Sequence, residues 1–394
     1  MTKKMKTLKQ ANLKGKRVLV RVDFNVPLKQ GKVTDDSRIK EALPTIEYIL
    51  SQNSSVVVIS HLGRPEGKRV SAMSLKPAAK RLEKLLGKKV EFLNETIGLK
   101  AQEKANKLKP GQVLCLENLR FSSQEELGDD EFAKKLATLG NIFIQEAFSC
   151  AHRSHASMVG VPRFLPSYAG LHFEEEHTKL SKIFKDPKKP FVIIAGGKKT
   201  ETKVGLLEKM IGKADIILLG GGLSNTFLAA ESYEIGKSFY EESYVSDAER
   251  VLREAYDKGT EILMPSDVLI AKNVTETART EEKDVEQIGP NDIIVDIGPK
   301  TISRYAQPIK FAGTIFWNGP MGIAESKNFE SGTRAIANMI SGGDMISVLG
   351  GGDTLAAIRS LKIDENGFTY ISSSGGALMK LLSGDKMPAI DALK

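Results

Sequence analysis

The sequence of 394 residues is poor in cysteine and contains no long apolar run. Cys115 and Cys150 are its only cysteines, which is typical of a reduced cytosolic protein and argues against a disulfide framework. No segment approaches the roughly 18 consecutive apolar residues that a membrane-spanning helix needs. The basic start, MTKKMKTL, leads into no apolar segment. We therefore expect a cytoplasmic protein with neither a secretory signal nor a membrane partner.

Aromatic residues are also scarce, at 6% of the chain, although the net charge is +8. So few aromatics provide a poor platform for stacking nucleic-acid bases, and no Cys/His zinc pattern is present. A basic surface that is simply solvated is one explanation of the charge, and binding of small acidic substrates is another. The missing nucleic-acid motifs favour small anions over nucleic acid.

Two common nucleotide-binding signatures are missing as well. The segment EIGKS (234–238) ends like a P-loop, but Glu231 stands where the motif G-x-x-x-x-G-K-[ST] needs glycine. No G-x-G-x-x-G sequence opens the first strand–helix–strand unit. A nicotinamide-dependent dehydrogenase with two α/β domains is an alternative function, but it lacks its fingerprint here.

Short apolar runs rich in β-branched residues alternate with amphipathic stretches such as 74–87. Strands are predicted at 17–23, 55–60, 112–117, 141–146, 191–197, 215–222, 261–265, 292–298, 313–319, 345–352 and 369–376. Nearly continuous apolar strands separated by helices indicate parallel sheets that are covered on both faces. More than ten strands are too many for one compact sheet. We therefore predict an α/β protein with two doubly wound, parallel-sheet domains and a break near residue 170, before a helical stretch at 174–184.

Polar and charged side chains follow the predicted strands of the first half, namely Asp23, Asn25, Arg38, His61, Arg64, Arg120 and Arg153. Doubly wound sheets bind ligands at the carboxyl ends of their strands. Arginine presents a planar fork of donors that matches carboxylate and phosphate. Each arginine could simply pair with a surface carboxylate. Four arginines and a histidine at successive strand ends instead favour a site for a ligand with more than one negative charge.

The second half is rich in glycine, since residues 171–394 hold 24 of the 35 glycines. The segments LGGGDTLAAI (349–358) and ISSSGGALMKLL (371–382) predict a strand, a glycine loop and a helix, a layout that suits phosphate binding. Asp353 would either cap its helix or hold Mg²⁺. Lys199 and Lys203 would share one helical face if both are helical. Two other residues, Asn318 and Glu325, either bond a ribose or are ordinary turn and surface residues.

The segments RVLVRVDFNVPL, TDDSRI, SHLGRP, LENLRF, AHRSHAS, WNGPMG and GGGDT occur in the order and spacing of the phosphoglycerate kinase family, which essentially the whole chain resembles. The resemblance implies two Rossmann-like domains joined by a helix and hinge. Residues 1–172, with a C-terminal tail of about 382–394, would bind 3-phosphoglycerate, and residues 173–381 would bind the nucleotide. The implied glycolytic and gluconeogenic reaction is reversible phosphoryl transfer between 1,3-bisphosphoglycerate with MgADP and 3-phosphoglycerate with MgATP. We expect a monomer that binds these small molecules.

The resemblance also implies the site residues. The acid-substrate site would comprise Asp23, Phe24, Asn25, Arg38, His61, Leu62, Gly63, Arg64, Arg120 and Arg153. The nucleotide site would comprise Gly197, Lys199, Lys203, Gly220, Gly221, Asn318, Glu325, Gly351, Gly352, Asp353 and Thr354, with Asp353 as the Mg²⁺ ligand. Alignment and charge neutralisation would fall to Arg38, Lys199, Lys203, Gly352 and Gly375. A carboxylate acceptor is already a nucleophile, so no catalytic base is assigned.

Three segments depart from the family's pattern. GGKKTETK (196–203) stands for Gly-Gly-Ala-Lys-Val-Ser-x-Lys, QEAFSC (145–150) stands for Asn-Asp-Ala-Phe-Gly-Thr, and Ser374 and Leu378 replace a glycine and a serine. The charged residues keep their places, which favours the enzyme over a non-catalytic protein that binds phosphorylated metabolites. We expect Ser374 to have a negative φ, with Gly375 and Gly376 supplying the unusual backbone angles of that loop.

Overall fold

The structure, a computed structural model, describes residues 4–275 and 277–394 and divides into two compact units. The first unit runs to Ser181 and includes Asp385–Lys394, and the second unit is Lys182–Gly384. The division therefore falls inside the helix that the sequence predicted after residue 173. Within the described ranges, no helix is long and apolar enough to cross a membrane.

The first unit is built on a parallel sheet. Its strands are β1 (Arg17–Arg21), β2 (Leu28–Lys29), β3 (Lys32–Val33), β4 (Ser55–Ile59), β5 (Val90–Leu93), β6 (Val113–Leu116), β7 (Ile142–Gln145) and β8 (Ser167–Ala169). Six of them form one sheet in the order β5-β6-β4-β1-β7-β8, and β2 pairs with β3 in a separate antiparallel hairpin. In the sheet register Arg21 lies beside Ile59 and Gln145, so β1, β4 and β7 end at the same level.

Helices cover both faces of this sheet. They are α1 (Ser37–Ser51), α2 (Lys76–Leu86), α3 (Leu99–Asn106), α4 (Ser123–Leu127), α5 (Asp130–Ala137) and α6 (Leu171–Lys185). Side chains of β1 alternate between two apolar clusters, because Val18 and Val20 pack in one and Leu19 packs in the other. This double coverage explains why the strand sequences read as continuous apolar runs.

The second unit contains two sheets. Its strands are β9 (Phe191–Ala195), β10 (Ile216–Leu219), β11 (Glu261–Leu263), β12 (Asp267–Ala271), β13 (Glu281–Asp284), β14 (Ile293–Ile297), β15 (Thr314–Asn318), β16 (Ile346–Gly350) and β17 (Tyr370–Ser372). The larger sheet is parallel, in the order β11-β10-β9-β15-β16-β17. Its helices are α7 (Thr200–Met210), α8 (Gly221–Ala230), α9 (Val245–Lys258), α10 (Pro299–Phe311), α11 (Ser331–Ile340), α12 (Gly352–Ser360) and α13 (Gly375–Leu382). The chain then returns to the first unit as α14 (Pro388–Asp391).

The predicted fold class, α/β with two parallel sheets, is confirmed, with one correction. The strand predicted at 292–298 is β14, which belongs to a three-stranded antiparallel sheet of order β13-β12-β14. The sequence analysis also missed β13, because its sequence EEKD is wholly charged and carries no apolar alternation. The edge strands β5 and β8 were missed because they are short and only partly buried.

Two ionisable side chains, those of Glu146 and His172, lie at the start of α6. The carboxylate of Glu146 accepts hydrogen bonds from the backbone N–H groups of His172 and Phe173, both at 3.3 Å. The His172 ring lies 3.4 Å from Glu176 and 3.6 Å from Glu41. Burial lowers the pKa of His172, but these carboxylates outweigh burial and raise it to about 9. The protonated ring therefore stabilises the folded first unit.

The pH dependence of unfolding tests this assignment. Because the folded pKa of His172 lies above its ordinary value of 6.5, its contribution is complete below that pH and is lost as pH rises through 9. We expect the free energy of unfolding, measured by urea denaturation, to decrease between pH 6.5 and pH 9 in the unaltered protein. This decrease should be larger than the decrease in His172→Gln, by on the order of 2 kcal/mol. Parallel pH profiles for the two proteins would contradict the assignment.

Candidate active site

The first set of candidate side chains lies at the carboxyl edge of the first sheet. Four neighbouring strands, β6, β4, β1 and β7, run in parallel and end at this edge. The loops that follow them carry Arg120, His61, Asp23 and Ser149, respectively. The shared strand direction therefore brings together side chains that are far apart in the sequence.

Asp23 is the acidic centre of this group. Its carboxylate accepts hydrogen bonds from Arg38 Nη1 at 2.7 Å, from the backbone N–H of Asn25 at 3.0 Å and from the hydroxyl of Ser149. Burial raises the pKa of Asp23, but the charge of Arg38 and the other donors outweigh burial and hold that pKa well below its usual range. Asp23 is therefore ionised at neutral pH and fixes the guanidinium of Arg38.

The ring of His61 is hydrogen-bonded to Arg21, which the sequence analysis did not include in the site. Arg21 is fully buried in β1, and its Nη2 donates to His61 Nδ1 at 3.2 Å. Asp23 lies 3.9 Å from the same nitrogen, which is too far for a hydrogen bond. Since Nδ1 accepts, the neutral ring carries its proton on Nε2. Burial lowers the pKa of His61 well below its ordinary value, so His61 is a neutral hydrogen-bond donor.

The loop after β4 is fixed through its backbone. Gly63, with φ of +65°, donates its N–H to Asn25 Oδ1 at 2.9 Å and accepts from Arg120 Nη1 at 2.7 Å. Asn118 bonds both backbone groups of Leu62, at 3.1 and 2.7 Å. Asn118 was missed although it lies in the predicted segment LENLRF, because its role is to hold backbone. These bonds explain why asparagine recurs at these strand ends.

Several buried donors around this edge have no acceptor. Arg120 Nη2 and Arg153 Nε are buried and lack a hydrogen-bond partner within the described part of the chain, although Arg120 Nε lies 3.2 Å from the carboxylate of Glu126. The ring nitrogen Nδ1 of His155 is also buried without a hydrogen-bond partner among the described residues. Burial, followed by the charges of Arg120 and Arg153, lowers the pKa of His155 to about 3. Buried donors are rarely left unpaired in proteins. A bound anion would satisfy them, which supports an anion site at this edge.

Two predicted members differ from the rest. Arg64 is exposed at the end of the same loop. Phe24 is fully buried, and its backbone N–H donates to Ser60 Oγ at 2.8 Å. Phe24 therefore packs in the core below the site.

The second candidate site is a pocket of about 510 Å³ in the second unit. It is bounded by loops at the carboxyl edge of the parallel sheet and by the antiparallel sheet. Five of the predicted nucleotide residues line it: Gly197, Lys199, Gly221, Glu325 and Asp353. Apolar side chains form much of the opposite wall, including Val268, Ile294, Met321 and Phe239. The pocket thus combines an apolar wall with a charged rim, as nucleotide sites do.

Two predicted nucleotide residues support the pocket without lining it. Asn318 Nδ2 donates to the carbonyl of Gly350 at 2.7 Å. The hydroxyl of Thr354 accepts from the N–H of Gly319 at 2.7 Å and donates to Gly350 at 2.9 Å. Gly351 lies between them with φ of +97°, and a Cβ there would come within 2.6 Å of Asn318 Nδ2. Close approach of the loops after β15 and β16 therefore requires this glycine.

Three other predicted glycines form backbone hydrogen bonds within the protein. Gly197 donates its N–H to the carbonyl of Pro320, and Gly221 donates to that of Met321, both at 2.7 Å. Gly220 donates to Ala195 at 3.0 Å. Their N–H groups are therefore committed to the protein. The helix N-termini of α12 and α13 and the lysines are the candidate donors for an anion.

The two predicted lysines occupy different environments. Lys199 is exposed and precedes α7, whereas Lys203 is buried inside that helix, so the two do not share one helical face. Burial lowers the pKa of Lys203 to about 8, although the charge of Asp353 opposes this shift. Lys198 also lines the pocket and is exposed.

The entrances of α12 and α13 resolve two open questions. Asp353 is the second residue of α12, after the N-cap Gly351, so it does not cap the helix. Ser374 is the N-cap of α13 and has φ of −91°, as predicted. The expectation that Gly375 and Gly376 supply unusual angles was wrong, because both lie within the regular helix. Leu378 is fully buried and packs against Gly350.

Comparison with known proteins agrees with this geometry. The sequence model described as phosphoglycerate kinase matches residues 8–385. The chain belongs to the phosphoglycerate kinase family. It is 46% identical to the phosphoglycerate kinase of Dictyoglomus turgidum and 42% identical to that of Borreliella afzelii; the alignments cover 98% and 99%, respectively, of both chains.

Solved structures of phosphoglycerate kinases share the fold. The structure from Coxiella burnetii has a TM-score of 0.87 at 39% identity, with 99% of this chain and 98% of that chain covered. The structure from Pyrococcus horikoshii has a TM-score of 0.86 at 32% identity, with the same coverage. Membership in the phosphoglycerate kinase family makes the chain a glycolytic phosphotransferase and removes the dehydrogenase alternative. Both candidate sites lie inside the matched region.

Substitution of Arg38 tests the first site. Arg38→Ala removes a donor that Asp23 holds in place, so we expect kcat to fall by roughly 10²–10³. Affinity for nucleotide, measured by calorimetry, should stay unchanged because Arg38 belongs to the first unit. A variant with nearly normal turnover would show that Arg38 is only a partner of Asp23.

Lys203 and Lys198 provide a matched pair of substitutions for the second site. We expect Lys203→Ala to lower kcat strongly, because the buried ammonium is removed. We expect Lys198→Ala to change kcat little, because Lys198 stands where the family's pattern has an uncharged alanine. Steady-state kinetics and thermal unfolding of both variants would separate loss of activity from loss of fold. Greater damage from Lys198→Ala would show that the catalytic lysines are assigned wrongly.

Proposed function

We propose that this chain catalyses reversible phosphoryl transfer between 1,3-bisphosphoglycerate with MgADP and 3-phosphoglycerate with MgATP. The observation that carries the proposal is the pair of buried donors without a hydrogen-bond partner, Arg120 Nη2 and Arg153 Nε, at one sheet edge. A ligand with both a carboxylate and a phosphate suits such a set, because each anionic group can take more than one donor. Family membership supports the same reaction.

The first unit would bind and orient the acid. Arg38, fixed by Asp23, would supply donors at the strand ends. The Nε2–H group of His61, which lies 3.9 Å from Cys150 Sγ, would supply another. Arg64, Arg120 and Arg153 add positive charge. The carboxylate of 3-phosphoglycerate attacks the γ-phosphorus of ATP, the bond from that phosphorus to the bridging oxygen breaks, and ADP leaves. No proton has to be removed from the attacking carboxylate, so alignment and charge neutralisation are the tasks of the protein.

The second unit would bind the nucleotide. The apolar wall of the pocket suits the base, and Glu325 on its rim suits a ribose hydroxyl. Lys199, Lys203 and the N–H groups at the starts of α12 and α13, including those of Gly352 and Gly375, would neutralise charge on the phosphates. Because acid and nucleotide sites belong to different units, we propose that hinge closure brings the reactants into line.

The described residues fit a magnesium ion that arrives with the nucleotide. Asp353 offers one exposed carboxylate on the pocket rim. No group of three or more His, Cys, Asp or Glu side chains suited to a metal occurs in residues 4–275 and 277–394. Mg²⁺ commonly uses one or two carboxylates together with phosphate oxygens and water, so Asp353 suffices. When bound, the ion would neutralise phosphate charge.

We further propose that the protein acts as a cytoplasmic monomer. One chain supplies every residue assigned to the two sites, so no second copy is needed to complete them. Cys115 and Cys150 are buried free thiols, which suits a reducing compartment.

A coupled assay of ADP formation with ATP, Mg²⁺ and 3-phosphoglycerate tests the proposed function. We expect turnover that requires all three components and that glycerate cannot support. Binding of ATP and 3-phosphoglycerate without turnover would instead identify a non-catalytic protein that binds phosphorylated metabolites.

Metal titration tests the role of Asp353. The Asp353→Asn variant keeps the shape of the side chain but loses its charge, so we expect it to need a higher Mg²⁺ concentration for half-maximal turnover. Its affinity for 3-phosphoglycerate should change less, because that site lies in the first unit. Coincident Mg²⁺ titrations of the variant and the parent would show that Asp353 is not a ligand.

A further inference from the structure

The guanidinium of Arg21, which is hydrogen-bonded to the ring of His61, is itself held by further acceptors. Arg21 is fully buried in β1. Its Nη2 donates to His61 Nδ1 at 3.2 Å, its Nη1 donates to the carbonyl of Val22 at 2.5 Å, and its Nε donates to the hydroxyl of Ser157 at 2.9 Å. A planar guanidinium that is held by three acceptors has a fixed orientation, so its contact with His61 is fixed as well.

Ser157 is held in turn by Glu125. The backbone N–H of Ser157 donates to Glu125 Oε2 at 2.9 Å, and its hydroxyl donates to Glu125 Oε1 at 2.5 Å. Both side chains are fully buried, Glu125 in α4 and Ser157 in the short helical segment Ala156–Gly160. Because the hydroxyl hydrogen is used by Glu125, the oxygen of Ser157 is left to accept from Arg21.

These hydrogen bonds connect Glu125 to His61 in one continuous series. Burial raises the pKa of Glu125, and the charge of Arg21 is the largest effect that opposes this shift. The ring nitrogen Nδ1 of His155 lies 3.9 Å from Glu125 Oε1, which is too far for a hydrogen bond. Without the carboxylate, the two donors of Ser157 would be left unpaired in the core, and its hydroxyl would lose the orientation that suits Arg21.

We infer that Glu125 is a positioning residue that acts through Ser157 and Arg21 to keep the proton of His61 on Nε2. This inference rests on the proposed function, in which the Nε2–H group of His61 donates to the acid substrate. A ring with its proton on Nδ1 would present an acceptor at Nε2, and an acceptor repels a carboxylate or phosphate oxygen. Glu125 thus contributes to binding of the acid without touching it.

Nuclear magnetic resonance of the histidine rings tests the inference on the unaltered protein. Long-range ¹H–¹⁵N spectra distinguish the two neutral tautomers, because protonated and unprotonated ring nitrogens resonate at different ¹⁵N shifts. The chain has five histidines, and the signals that disappear in His61→Ala identify His61. We expect only the Nε2–H tautomer of His61 at neutral pH. A mixture of tautomers, or a proton on Nδ1, would overturn the inference without any further variant.

Two substitutions assign the tautomer to the series. Glu125→Gln keeps the shape of the side chain but offers one acceptor oxygen to the two donors of Ser157, and Ser157→Ala removes the hydroxyl that contacts Arg21. In each variant we expect a smaller Nε2–H fraction at His61. The calorimetric dissociation constant for 3-phosphoglycerate should rise by about 2- to 10-fold, as for one weakened hydrogen bond. Nucleotide affinity should stay unchanged, because that site belongs to the second unit.

A matched control separates this effect from removal of any carboxylate in the first unit. Glu131 is exposed on α5, so Glu131→Gln should change neither the tautomer of His61 nor the affinity for 3-phosphoglycerate. An equal effect of Glu131→Gln on both measurements would overturn the assignment to Glu125.

A double-mutant cycle shows whether Glu125 acts through His61. In His61→Ala, which has no ring to orient, adding Glu125→Gln should raise the dissociation constant for 3-phosphoglycerate little further. The same fold-change in both backgrounds would overturn the inference, and so would an unchanged tautomer in Glu125→Gln; either result leaves the kinase function intact. Absence of turnover dependent on 3-phosphoglycerate would instead overturn the proposed function, and with it the assignment of His61 to the acid.

Discussion

Positive charge concentrated at one sheet edge is the constraint on which the first unit depends. Four arginines lie at this edge: Arg21, Arg38, Arg120 and Arg153. Their positive charges repel one another unless carboxylates and hydrogen-bond acceptors offset the repulsion. Asp23, next to Arg38, and Glu126, 3.2 Å from Arg120 Nε, neutralise part of the charge. Backbone carbonyls and Asn118 fix the loops that carry the remaining charge. The same field, together with burial, keeps His61 and His155 neutral. The remaining unpaired donors leave the edge incomplete without an anion.

In our proposal, the second unit binds a different kind of ligand, a nucleotide that joins a planar base to a highly charged chain of phosphates. Its pocket has an apolar wall, and Gly197, Gly220 and Gly221 donate their N–H groups to backbone carbonyls of the protein. Asn318 and Thr354 tie the loops after β15 and β16 to one another. In our proposal, this frame leaves Lys199, Lys203 and the helix N-termini to contact the phosphates, and it leaves Asp353 to hold Mg²⁺. The contrast between the two units fits the different ligands that we propose for them.

The parallel sheets could be predicted because buried strands read as uninterrupted apolar runs, and the site could be predicted because loops after such strands share one edge. Arg21 was missed because a charged residue inside a strand shows its partners, Ser157 and His61, only in three dimensions. Strand β13 was missed because burial of its neighbours, not its own sequence, makes it a strand.

Binding of 3-phosphoglycerate is the measurement that tests the central claim most directly. Isothermal titration calorimetry would compare it with glycerate, which lacks the phosphate, and with glycerol 3-phosphate, which lacks the carboxylate, at low and high salt. The account predicts that 3-phosphoglycerate binds more tightly than either fragment and that its affinity falls with salt, since the site is cationic. If 3-phosphoglycerate bound no more tightly than the fragments, the cationic edge would not be a site for a doubly anionic acid.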